Sequence, residues 1–110
     1  VGIEFSSPTV NATAMTHIHL DVFIPGPIAP GRELRVIVVD FGAGGVFGGG
    51  DDTRHSTTFT APTLVSQNWI SIDIPFANMP NLASRSHLAQ IILEGGDGSV
   101  LYADNIYFYN

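Results

Sequence analysis

The residues of this chain that could bind or react fall in a few short clusters. Asp104 stands in Leu101-Tyr102-Ala103-Asp104-Asn105-Ile106-Tyr107-Phe108-Tyr109-Asn110, a run otherwise rich in aromatic and aliphatic residues. A carboxylate in or beside such a strand is costly unless a cation, an arginine or backbone donors compensate it. Arg32, Arg35 and Arg54 are available as ion-pair partners, and a buried ion pair is one solution. Asp51 and Asp52 end a glycine-rich stretch that begins at Gly42, and their oxygens suit Ca²⁺, although the spacing is not that of an EF-hand. The stretch lacks a Gly-Lys-Ser/Thr ending, and the chain has no lysine, which excludes a phosphate loop. In His17-Ile18-His19-Leu20-Asp21, alternate residues share one face of a strand. Two imidazoles and a carboxylate could then converge as zinc or iron ligands, or the histidines could hydrogen-bond to neighbouring strands. Trp69 is the only tryptophan. An exposed aromatic stacks on the apolar face of a pyranose ring, and a buried one packs the core or rim.

Catalysis is not expected. Glycoside hydrolysis needs two facing carboxylates, and the acids here are scattered over strand faces and turns. There is no Gly-x-Ser-x-Gly elbow. His55, with Asp51, Asp52 and Ser56 nearby, is the closest approach to a catalytic cluster and reads as a polar loop histidine. Asn11-Ala12-Thr13 is a glycosylation sequon, meaningful only in a secreted eukaryotic setting.

Short strands must position these residues. Gly (12) and Pro (7) cut the sequence into brief runs, the signature of a sandwich or barrel. Met15–Ile24 alternates: Thr16, Ile18, Leu20, Val22 and Ile24 on one face, and Met15, His17, His19, Asp21 and Phe23 on the other. Pro25–Gly31 is a loop, because proline cannot donate to a ladder. Glu33–Phe41 is nearly continuously apolar and reads as a central strand. Thr53–Thr60 is polar and threonine-rich and reads as an edge or half-exposed strand. Asn68–Ile74 puts Ile70, Ile72 and Ile74 opposite Trp69, Ser71 and Asp73. Phe76–Arg85 is a connection with one short helical turn. His87–Glu94 and Val100–Tyr109 are the last strands, joined by a hairpin-type turn at Gly95–Ser99. The expected fold is an all-β, antiparallel, two-sheet jelly-roll-like sandwich over residues 1–110. Its core includes Ile18, Leu20, Val36, Val38, Ile70, Ile72, Ile91 and Ile106.

Composition narrows the partners. A chain of 110 residues is long enough for one domain with its own core, burying roughly 60–70% of its unfolded surface. It has no cysteine, so it has neither disulfides nor thiolate chemistry. A net charge of −6 with four arginines argues against nucleic acid. No apolar run approaches the roughly 20 residues of a membrane span. Val1-Gly2-Ile3-Glu4-Phe5 opens in strand-like sequence without a methionine, which reads as a mature product or a fragment.

Four segments carry a resemblance. They are Met15–Val22, Val38-Val39-Asp40-Phe41-Gly42, Asn68–Pro75 and Tyr102–Tyr109, with the insert ending Gly49-Gly50-Asp51-Asp52 between the second and third. In this order they resemble a carbohydrate-binding β-sandwich module of the kind appended to secreted bacterial polysaccharide hydrolases, laminarinase-like and agarase-like. The resemblance covers nearly the whole chain. It implies an extracellular, non-catalytic module that binds a β-glycan, with Trp69 stacking and Asp73 and Arg85 giving polar help. It also implies a structural Ca²⁺ held by Asp104. Members of that family carry a further strand ahead of the position of Val1. An open sheet edge there points to the alternative, self-association by strand addition into an extracellular filament or layer.

Overall fold

The structure is a computed structural model and describes residues 2–5, 8–44, 47–48, 50–95 and 100–110. Seven strands form: β1 (Gly2–Glu4), β2 (His17–Phe23), β3 (Leu34–Asp40), β4 (Thr53–Phe59), β5 (Trp69–Pro75), β6 (Leu88–Glu94) and β7 (Tyr102–Tyr109). A single 3₁₀ turn covers Phe76–Asn78. One antiparallel sheet has the order β1-β6-β3-β4, the other β5-β2-β7. The chain passes between the sheets at every connection except β3 to β4, as in a jelly roll. The sandwich expected from the alternating pattern is therefore the observed fold.

Strand parity builds the core. The inward residues Ile18, Leu20 and Val22 of β2, Leu34, Val36 and Val38 of β3, and Ile70, Ile72 and Ile74 of β5 are buried in one cluster with Leu88, Ile91 and Leu93. Each such side chain contributes about 1.5–3 kcal/mol by leaving water. Because these residues point inward, their neighbours on β2 and β5 must point outward, and that parity displays the site. The continuous apolar character of β3 has a second cause. Ile37, Val39 and Phe41 form a small buried cluster with Ala89 on the outer side of the four-stranded sheet.

Two expectations need correction. The hairpin between the last strands does not form, because β6 and β7 lie in different sheets; the segment is a crossover, and its residues 96–99 lie outside the described ones. Asp104 is not in an apolar setting. It is exposed on β7, an outer strand of its sheet, at a register shift between β2 and β7. The buried acid is Asp40, 1% exposed. Its Oδ1 accepts the Gly42 N–H at 2.7 Å and its Oδ2 the His87 N–H at 2.9 Å. These bonds meet the need for backbone donors, end β3 and tie it to β6 where the ladder slips.

Candidate functional site

The outward face of β5-β2-β7 gathers most of the singled-out residues into rungs that cross all three strands. The first rung is aromatic: Phe23 of β2 lies between Trp69 of β5 and Tyr102 of β7 in register. Their ring centroids are 5.4 and 6.4 Å from that of Phe23. Trp69 is 56% exposed and Tyr102 58%. Three rings in a row, two of them open to solvent, make a shallow apolar strip. No core position demands it, since the other side of β2 and β5 already supplies the core.

The second rung is polar, with Asp21 between Ser71 and Asp104. Ser71 Oγ donates to Asp21 Oδ1 at 3.0 Å, and Asn105 Nδ2 donates to Asp21 Oδ2 at 2.9 Å. Asn105 takes a positive φ of 52° at the bulge, a conformation asparagine tolerates, and this carries its amide across to Asp21. Asp104 Oδ1 accepts the Asn105 N–H at 2.8 Å.

The third and fourth rungs form a brace. His19 Nδ1 lies 2.8 Å from Asp73 Oδ1, and His19 Nε2 lies 3.0 Å from Asp21 Oδ1. Tyr109 donates its phenol to Asp73 Oδ1 at 2.9 Å. His19 stacks on Tyr107 at 4.8 Å and His17 on Tyr109 at 4.9 Å. A neutral imidazole has one N–H, so a ring with a carboxylate oxygen at each nitrogen is satisfied only as the imidazolium. The titration directions agree. His19 is raised from its ordinary 6.5, first by its bond to Asp73. Asp21 is lowered from 3.8, first by the Asn105 bond and then by Ser71. Asp73 is lowered from 3.8, first by the His19 bond and then by Tyr109. The face therefore alternates apolar, acidic and cationic groups along the strands.

The other candidates lie elsewhere. Arg85 donates from Nη2 to the Thr13 carbonyl at 2.9 Å and from Nε to the Ala12 carbonyl at 3.3 Å, with its guanidinium 5.3 Å from the Phe76 ring centroid. It fastens the segment before β2 and is not grouped with Trp69. Asp51 Oδ2 accepts the Gly44 N–H at 3.0 Å and Asp52 Oδ2 the Gly48 N–H at 2.8 Å. Gly42 has φ +71°, and a Cβ there would collide with Asp51, so glycine is required. Phe47 is 68% exposed and sits edge-on to Phe41, which follows β3 and packs with Ile37, Val39 and Ala89.

Asp51 and Asp52 lie just ahead of β4 of the four-stranded sheet, while Asp104 lies on the three-stranded one. Among the described residues, no group of three or more His, Asp or Glu side chains is placed to hold a metal ion. For His19 and Asp21 the cross-strand hydrogen-bonding reading is the one the contacts follow, whereas His17 bonds to the adjacent Thr16 hydroxyl and stacks across the ladder on Tyr109.

Sequence reasoning placed Trp69 and Asp73 on this face but passed over Phe23, Tyr102, His19, Asp21 and Asn105 as parts of one site. The parity of Met15–Ile24 marked three of them as outward. Their neighbours across the ladder were not readable without the strand order. Compared with known protein families, with characterised proteins and with solved structures, the chain finds no match, so the reading of the face rests on its geometry.

Proposed function

We propose that the outer face of β5-β2-β7 is a carbohydrate-binding surface that takes a neutral or weakly charged β-glycan without cleaving it. The observation that carries this reading is the Trp69-Phe23-Tyr102 strip beside the Ser71-Asp21-Asp104 rung. A pyranose has an apolar face and an equatorial belt of hydroxyls. A solvent-open aromatic suits the first, and carboxylates, amides and hydroxyls suit the second. Residues two apart along a strand are about 6.8 Å apart, within reach of a sugar stacked on Trp69 or Tyr102. Asp73 is two rungs from Trp69, about 14 Å along the strand, so it meets only a longer chain.

Binding without cleavage is supported by the same contacts. A glycosidase needs a carboxylic acid that holds its proton near neutral pH. Asp21 and Asp73 are both shifted down, with His19 held between them. The proposal is tested by screening the intact chain on a glycan array and by pull-down on insoluble β-glucans. Retention on one polysaccharide class, with no reducing ends released, supports it; no retention on any neutral polysaccharide removes it.

A further inference from the structure

The two sheets differ in width. Four strands, β1-β6-β3-β4, face three, β5-β2-β7, and the surplus strand is β1. Ile3 pairs directly with Ile91, so both side chains point to the same face, and Ile91 belongs to the core at 3% exposed. Ile3 is nevertheless 47% exposed. It points inward and, among the described residues, meets no strand across from it. The adjoining edge is β7, an eight-residue strand whose only ladder partner among the described residues is β2. Its other side presents backbone donors and acceptors without ladder partners. Between β1 and β7 runs an open groove of about 320 Å³, lined by Ile3, Phe5, Val10, Ile91, Ile106 and Phe108 together with Tyr107. This is why Ile106, alone of the expected core, is only partly buried.

We infer that this lane receives one β-strand of a partner: an extended, neutral to basic peptide segment with apolar side chains at alternate positions. The open ladder specifies extended backbone, because only a strand matches donors and acceptors at that spacing. The apolar floor specifies the alternation, since every second side chain of the added strand points into it. Charge narrows the partner further. The lining has no charged residue, and the acid on the outward side of β7 beside it is Asp104, in a chain of net charge −6. A lysine or arginine on the outward side of the added strand, next to Asp104, complements that charge.

Width argues against a second copy pairing through its own β7. Antiparallel pairing across a two-fold axis keeps the layers of both copies level. The second copy's β6, whose Ile91 lines the same groove as Ile106 and Phe108 of β7, would then fall where β1 already is. A single strand fits the lane, and a second sandwich does not.

The probe is a capped peptide of eight residues, the length of β7, alternating valine and threonine with one central lysine. Labelled for fluorescence anisotropy, it should bind the intact chain saturably and slow hydrogen exchange at the amides of Ile106 to Tyr109. A central proline should weaken it by at least about tenfold, because proline cannot complete the ladder. Ile3→Lys should weaken it by a similar factor, and Ile3→Thr should act in the same direction, with melting temperatures close to that of the parent. The inference fails if the peptide does not bind saturably or if the proline peptide binds equally well. It fails also if ultracentrifugation finds a dimer that Ile3→Lys abolishes, which would assign the lane to a second copy. None of these readouts depends on glycan binding.

Discussion

Replacing Trp69 by alanine tests the proposed binding face most directly, and the size of the effect can be worked from the structure. A tryptophan presents about 250 Å², and Trp69 is 56% exposed, which leaves about 140 Å² open to a ligand. A sugar ring stacked on it covers about half, or about 70 Å². At about 25 cal/mol per Å² this is worth about 1.8 kcal/mol, so Trp69→Ala should raise Kd about twentyfold. The assay is calorimetry or affinity electrophoresis with the best soluble glycan from the array. Folding is checked by the melting curve, which should move little, because the removed ring is an exposed one with Phe23 as its ring neighbour. Tyr102→Ala, 58% exposed at the other end of the strip, should weaken binding in the same direction. A folded Trp69→Ala protein with full affinity would refute the assignment of this face.

Three further outcomes are expected. Asp40→Asn keeps an acceptor for one of two backbone N–H groups and should cost about 1–2 kcal/mol, whereas Asp40→Ala strands both and should cost about 2–5 kcal/mol, near 4 °C of Tm per kcal/mol; equal Tm values for the two variants would contradict the double-acceptor role. His19 is raised from 6.5, so its contribution is full below 6.5 and is lost as pH rises through the higher folded value, while Asp21 and Asp73, lowered from 3.8, contribute above 3.8 and lose it as pH falls. Stability should therefore peak between 3.8 and 6.5 and decline on the alkaline side, a limb that His19→Gln should flatten; a parent Tm that is level across that limb speaks against the imidazolium bridge. A calcium ion held by Asp104 and main-chain oxygens implies that EDTA lowers Tm by several degrees and that calcium restores it, and an unchanged curve with no metal in the purified chain removes that proposal.

How much was legible depended on whether a feature is local. Strand identity and facing are local: alternation in His17–Phe23 and Trp69–Pro75 is enough to put Ile18, Leu20, Ile70 and Ile72 inside and Trp69 and Asp73 outside. Pairing is not local. Phe23 meets Tyr102 across most of the chain length, and nothing in either segment announces the other. The apolar run around Asp104 has the composition of a core strand, so its exposure is not legible in the sequence. In the fold β7 is an outer strand with a bulge at Asp104 and Asn105, and the acid the core does hold, Asp40, was hidden in the most apolar strand. The place of Arg85 is not legible either, because the docking of an irregular connection on Ala12 and Thr13 leaves no periodic trace.

The ladder also decides which end of the face is open to a ligand. At the His17 end the groups satisfy one another: His19 bridges two carboxylates, Asp73 takes the Tyr109 phenol as well, and each histidine stacks on a tyrosine. A ligand there would have to break bonds already made. At the Phe23 end, Trp69 and Tyr102 stand open with rings on one side only, and the next rung is held in place by Ser71, Asn105 and His19. Side-chain bonds join all three strands, so the polar rung is ordered before any ligand arrives, which lowers the cost of the binding proposed for this face. The brace and the strip are thus parts of one device, and disturbing His19 should be felt at Trp69 through Asp21 without any direct contact between them.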